Sequence, residues 1–414
     1  MELNEGAQQP PVLEQDELED PYKFKAAMVS VEFESPVRAF LDGAEVTTPN
    51  WAAGIDVLDD WSERAKRIHV ARTQFSKRPA VYTPKNGTMR ASIKFKVTQS
   101  ENVGDEGELV GTLGPLRISG ECEIGVGEQE VYAKIDDAWK GAIDARVGDI
   151  QWAVTLKSPG FRVSLGTTFV EVYMLLADPA DMYKRKVPVE TLRLLTQKVG
   201  VVGKTASDEV AIAVTRYLHK SHGLSYDTMN GKSAHDVSEL GGGGFPVVDY
   251  TLRSKDVINC YDQAAGVQAL SGAVGAQVKW LFMDPYGFIK PTHLVGDSEL
   301  CNNPFYRSPH PHDQVVTNLK KIDPKDIHRF PFGNHAFCAL PYQALPSALV
   351  LDACAGPELA SQTLKDHVNE DIDHDEVPRK HYQKLTGRTL PTEFEKDHVA
   401  EPDGITSVTL SSEV

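Results

Sequence analysis

Between about residues 22 and 178, apolar and polar positions alternate in short runs separated by turn signals. Met28-Val29-Ser30-Val31-Glu32-Phe33, Ala91-Ser92-Ile93-Lys94-Phe95-Lys96-Val97 and Phe169-Val170-Glu171-Val172-Tyr173-Met174 keep a period close to two. That is the rhythm of strands buried on one face. Pro84-Lys85-Asn86-Gly87 and Ser158-Pro159-Gly160 punctuate them. Many short strands at this spacing predict a β-sandwich over residues 22–178. The stretch Trp51 to Ala65 is less strand-like and reads as a helical excursion.

The rhythm changes near residue 187. Pro188-Val189-Glu190-Thr191-Leu192 opens one helix, with the proline where a missing N–H is harmless. Ser207-Asp208-Glu209 opens a second, the serine as N-cap and the acids matching the helix dipole. Val210, Val214, Tyr217 and Leu218 then form its apolar stripe, and Gly223 ends it. The glycines 241–244 are too permissive for regular structure; no Lys-Ser or Lys-Thr follows, so they read as a connector rather than a phosphate loop. A helix from Cys260 to about Ser271 carries Ala264, Val267, Leu270 and Val274 on one stripe, and the Ala264-Ala265 pair allows a close neighbour. Strands are expected at Val278–Met283, Phe288–Val295, His335–Leu340 and Ala348–Asp352, with a long loop over 297–333. Beyond 360 the acidic chain reads as one helix and a frayed tail.

Four segments follow: a flexible acidic leader 1–21, the β-sandwich 22–178, an α+β domain 187–360 and an acidic C-terminal extension 361–414. The net charge of −16 changes little about partners once it is located. The first 20 residues carry seven acids and no base, and 361–414 carry twelve acids against six bases, which leaves −3 for residues 21–360. Acidic ends argue against nucleic acid, which asks for a basic face. No run approaches the ~18 consecutive apolar residues of a membrane span. The start lacks a basic region and an apolar core, so a cytoplasmic location is expected.

Candidate chemistry centres on cysteine. Cys122, Cys260, Cys301, Cys338 and Cys354 are odd in number and include no CxxC pair, which suits free thiols and disfavours a zinc site. Cys260 opens a helix, His335 lies on a later strand and Asp352 ends the next. A thiol becomes a nucleophile when an imidazole and a helix N-terminus lower its pKa from ~8.5 to ~3.5–7.5, and an acid holds that imidazole in the right tautomer. The order Cys260, His335, Asp352 therefore predicts a thiol nucleophile, a base and an orienter. His310-Pro311-His312-Asp313, and His374 among Asp371, Asp373, Asp375 and Glu376, have metal-binding residue types. They read better as an exposed loop and a solvated charge run, so no cofactor or metal is expected. Asp262 reads as a helix cap.

Cys260-Tyr261-Asp262-Gln263-Ala264, His335-Ala336-Phe337 and Val350-Leu351-Asp352, with the lead-in from Tyr217-Leu218 to Leu224-Ser225-Tyr226-Asp227, resemble the transglutaminase-like superfamily, cousins of papain-like proteases. The resemblance covers about 205–356. It implies acyl transfer through a thioester, with Cys260 as nucleophile, His335 as base and later acid, and Asp352 as orienter. The expected substrate is a peptide or protein amide. The products would follow from hydrolysis, deamidation or cross-linking. An oxyanion would rest on the Cys260 N–H and a second donor upstream. Ile258-Asn259, where relatives carry a glycine shortly before the cysteine, and Phe337, where they carry tryptophan, bear on substrate preference. The sandwich is expected to dock a protein partner. Two other classes share these signals: an idle relative acting as a binding or scaffold protein, and a delivered effector or toxin.

Overall fold

The computed structural model describes residues 23–84, 89–101, 103–136, 141–157, 160, 162–308 and 318–411, and shows a mixed α+β chain. The leader 1–21 lies outside the described residues. So does the His310 to Asp313 run.

Nine strands of the first part join in one sheet: β1 (Lys25–Phe33), β2 (Trp51–Ala52), β3 (Ala80–Tyr82), β4 (Arg90–Gln99), β5 (Glu106–Leu113), β6 (Leu116–Glu123), β7 (Gly127–Ile135), β8 (Asp144–Leu156) and β9 (Arg162–Met174). Their order is β2-β1-β4-β7-β6-β5-β8-β9-β3. All neighbours are antiparallel except β9 and β3. The sheet curls until β1 touches β9, which lies six places along the order. Register shifts at Met28/Ser30 and Trp152/Ala153 mark bulges, which increase local twist. Val31, Ile93, Phe95, Leu109, Trp152, Val154 and Val172 fill the interior. One curled sheet thus stands where a sandwich of two was expected. Alternation specifies that one face of each strand is buried, but not whether a second sheet or the same sheet covers it. The excursion near residue 60 is a short helix, α1 (Ser62–Arg67), and Trp51–Ala52 is an edge strand.

The second part is built on α2 (Val189–Leu194), α3 (Ser207–Lys220), α4 (Val247–Thr251) and α5 (Cys260–Ala273). Ser207 is the first helical residue rather than the cap; its Oγ instead accepts from the Gln277 N–H at 2.8 Å. An antiparallel sheet follows: β10 (Lys279–Met283), β11 (His335–Ala339), β12 (Leu349–Asp352), β13 (Glu358–Thr363) and β14 (Val399–Ala400), in the order β13-β12-β11-β10-β14. Helix α5 packs between β11 and α3. The contact is tight: the Cys338 thiol donates to the Ala264 carbonyl at 3.4 Å, and a Cβ on Gly266 would fall 2.5 Å from the Tyr250 Oη.

Beyond residue 360 the chain holds more order than its polarity suggests. It forms α6 (Leu364–Asp371), α7 (Glu376–Thr386) and the edge strand β14. Ser407–Val408 then pairs in parallel with Gly244–Phe245. Gln268 of α5 brackets this strap, donating to the Asp403 carbonyl and accepting from the Ile405 N–H, both at 2.9 Å. Backbone and side-chain hydrogen bonds, which leave no hydrophobic periodicity, hold the segment. The glycine run is part of the same contact. Gly241 has φ +71°, and a Cβ there would sit 2.4 Å from the Gly404 Cα.

The two sheets share a hydrophobic cluster that extends from Trp61, Phe75 and Tyr173 to Val214, Leu270, Trp280 and Val350. Arg193 of α2 ties them as well. It is fully buried, bonds both Glu171 oxygens of β9 at 3.0 Å, reaches Asp59 at 2.7 Å and stacks 4.3 Å from the Phe75 ring. Among the described residues no helix is long and apolar enough to cross a membrane.

Candidate functional site

The capping chemistry of Asn259 sets where α5 begins. Its Oδ1 accepts from the Tyr261 and Asp262 N–H groups at 3.0 and 3.1 Å, and Asp262 accepts in return from the Asn259 N–H at 3.1 Å. This reciprocal box satisfies helix donors that would otherwise be orphaned. Asp262 also takes Ser233 Oγ at 2.6 Å and the Ala234 N–H at 2.8 Å, so it ties the 233–235 loop to the helix start. Cys260 is the first residue of the helix. Its N–H is among the groups that have no intrahelical acceptor.

The hairpin β11–β12 supplies the other two members. Cys338 pairs with Leu351 and Ala339 with Val350. Side chains alternate across a strand, so His335 and Phe337 share one face and Cys338 lies on the other. Asp352 falls one step beyond the Cys338–Leu351 pair, beside Phe337 and diagonal to His335, a separation that two side chains can span. His335 Nε2 lies 2.7 Å from Asp352 Oδ2. The second carboxylate oxygen accepts from the Cys354 and Ala355 N–H groups at 2.7 and 3.2 Å, which fixes the carboxylate plane. Cys260, at the start of α5, neighbours the imidazole. Its sulfur is the other polar neighbour of the ring, and Nδ1 has no hydrogen bond of ordinary geometry.

The imidazole sits among aromatic rings. Phe332 stacks on it at 5.0 Å and 22°, Phe337 at 5.6 Å and 28°, and Tyr286 meets it at 4.8 Å and 55°. Tyr226, from the lead-in segment, packs edge-on against Phe332 at 5.6 Å. His335 is 0 % exposed, Asp352 1 % and Cys260 4 %.

Charge in this setting is set by pairing. Burial alone would drive the proton off His335; the Asp352 carboxylate and then the Cys260 sulfur reverse that and push its pKa up to about 10. Burial likewise opposes an ionised Asp352, yet His335, His367 and the Cys354 N–H hold its carboxyl below the usual range. Pairing thus favours the imidazolium and the carboxylate against the burial that opposes each charge. Burial pushes the thiols of Cys122 and Cys301 up to about 11, and raises those of Cys338 and Cys354 as well.

Cys260, His335 and Asp352 thus come together from three elements. The acids around His374 do not join them: Asp373 binds Arg329 at 2.6 Å and His374 contacts the Val368 carbonyl at 3.1 Å. Among the described residues no three His, Cys, Asp or Glu side chains cluster as metal ligands would. Two hydrogen-bonded pairs beside the trio escaped the sequence. Tyr261 donates to Asn334 Oδ1 at 2.6 Å, and Tyr286 Oη lies 3.0 Å from His367 Nε2. Adjacency to Cys260 and His335 could have flagged the first pair, but nothing in the local pattern flags His367.

No family model matches the chain, and no curated protein is similar to it. Among solved structures the chain is similar to the crystal structure of red sea bream transglutaminase, at 12% identity and a TM-score of 0.32. The alignment covers 72% of this chain and 52% of that one, so this chain spans about half the length of the transglutaminase.

Proposed function

We propose that this protein is a cysteine-dependent acyl-transfer enzyme acting on amide bonds of peptides or of protein glutamine side chains. The observation that carries the reading is the buried His335–Asp352 pair, whose Nδ1 is left for the thiol at the first residue of α5. Cys260 sulfur, its proton held by His335, attacks the carbonyl carbon. The oxyanion that forms is met by the Cys260 N–H, a donor worth ~3–4 kcal/mol in comparable sites. His335 then returns the proton to the nitrogen, the C–N bond breaks and an amine or ammonia leaves. The thioester is taken by water or by an amine, which gives its proton to His335 and restores the thiol. Residues 22–178 are the scaffold or partner-binding part of this enzyme.

The depth of Cys260, 4 % exposed, favours one rival: a binding or scaffold protein that keeps the trio as packing. Peptide-mapped iodoacetamide labelling, together with ammonia release from a glutamine peptide, separates the two. The enzyme labels first at Cys260 and loses both signals in Cys260→Ala. A scaffold protein labels no faster at Cys260 than at Cys122 and releases no ammonia.

A further inference from the structure

The segment after residue 360 brings a second buried histidine to the site. His367 of α6 is 2 % exposed, and its Nδ1 lies 3.0 Å from Asp371 Oδ2, one helical turn on. A carboxylate can only accept, so Nδ1 carries the proton. Tyr286 Oη lies 3.0 Å from the Nε2 of the same ring, so one hydrogen bond joins the two side chains. Tyr286 is itself 1 % exposed and touches the His335 ring. His367 also packs 5.6 Å from Phe337, the ring stacked on the other part of His335.

We infer that Asp371, His367 and Tyr286 form a positioning relay that fixes the orientation of the His335 imidazole, an inference that rests on reading His335 as the base. Phe332 and Phe337 lie nearly parallel to the imidazole and restrain its tilt. Tyr286, at 55°, meets it from a different direction, and rotation of the imidazole toward or away from Cys260 requires Tyr286 to yield. A phenol ring without its hydroxyl bond can yield; one tied to a histidine that is tied to a carboxylate cannot do so cheaply. The relay acts through packing and orientation. It also assigns a role to the acidic extension: α6 completes the support of a site whose chemistry lies on earlier elements.

Tyr286→Phe keeps the ring and removes the donor. Asp371→Ala acts at a half-exposed side chain, where a folding defect is least expected. His367→Gln keeps a hydrogen-bonding partner for the Tyr286 hydroxyl, since an amide can both donate and accept. Two readouts are taken on the full chain: the Cys260 alkylation rate from mildly acid to mildly alkaline pH, and the downfield proton resonance of the His335–Asp352 hydrogen bond. Tyr286→Phe and Asp371→Ala should broaden that resonance and slow alkylation about tenfold, as a small misplacement of a reacting group does, with His367→Gln nearer to wild type. The resonance reports orientation whether or not the thiol reacts. An unreactive Cys260 with a resonance that responds to the variants would overturn the enzymatic reading and leave the relay standing. A reactive Cys260 with rates, pH profile and resonance unchanged in both variants would overturn the relay alone.

Discussion

The Tyr261 hydroxyl donates a 2.6 Å hydrogen bond to the Asn334 side chain. Tyr261 follows Cys260 and Asn334 precedes His335, so one bond pins the start of α5 to the start of β11 beside both residues.

Loss of that pin should therefore act on reactivity more than on stability. A single hydrogen bond contributes about 1 kcal/mol, and that amount in a barrier is about fivefold in rate. Tyr261→Phe is expected to slow Cys260 alkylation by roughly that factor while thermal unfolding stays close to wild type. Unchanged alkylation would show that the pin has no bearing on the site.

The His335–Asp352 pair should mark the stability curve with a definite sign. The folded-state pKa of His335 is pushed up to about 10 from an ordinary 6.5, so its contribution is complete below 6.5 and is lost as pH rises toward 10. Asp352 is held below its ordinary 3.8, so its contribution is present above that value and fades as the solution is acidified through the folded value. Asp352→Asn should thus cost most between those two ordinary values, about 3 kcal/mol for a broken buried pair. Urea unfolding of both proteins should show the gap narrowing in alkali. A gap that widens toward pH 10 would invert the assignment.

Gly266 lies where α5 meets Tyr250, whose hydroxyl donates to Gln263 at 2.6 Å. A methyl group there must displace a buried ring. Gly266→Ala, although it improves helix propensity, is expected to destabilise by about 1–3 kcal/mol through overpacking. Chemical denaturation checks it, and a stabilised variant would mean that the ring moves freely.

Arg193 makes its bidentate bonds to Glu171 with no solvent contact. Lysine offers a point charge and cannot form the fork or stack on Phe75 in the same way. Arg193→Lys keeps the charge but leaves buried hydrogen-bonding positions unmade, and is expected to cost about 1–3 kcal/mol. Differential scanning calorimetry reads this as a lowered transition temperature. A variant as stable as wild type would show that the sheets are held together by the hydrophobic cluster alone.

The sequence disclosed those parts of the fold that obey a short period. Helix α5 starts at Cys260, where the sequence placed it with Asp262 as a cap, and β11 and β12 fall on the apolar runs that carry His335 and end at Asp352. The curled sheet was hidden because closing strand on strand leaves the same alternation as packing two sheets. The strap 403–408 was hidden because backbone hydrogen bonds to the glycine run and the Gln268 clamp have no periodic signature. His367 was hidden for a third reason: it stands in an acidic helix, and its partner Tyr286 lies 81 residues earlier.

Whether His335 makes the Cys260 sulfur reactive is read from the alkylation rate of that one cysteine in wild type and in His335→Ala. At neutral pH the account expects Cys260 to label well ahead of the other four thiols, and His335→Ala to slow it at least about tenfold, with the gap closing only in alkali where an unassisted thiol ionises near ~8.5. Equal rates for the two proteins across neutral and mildly acid pH would contradict it.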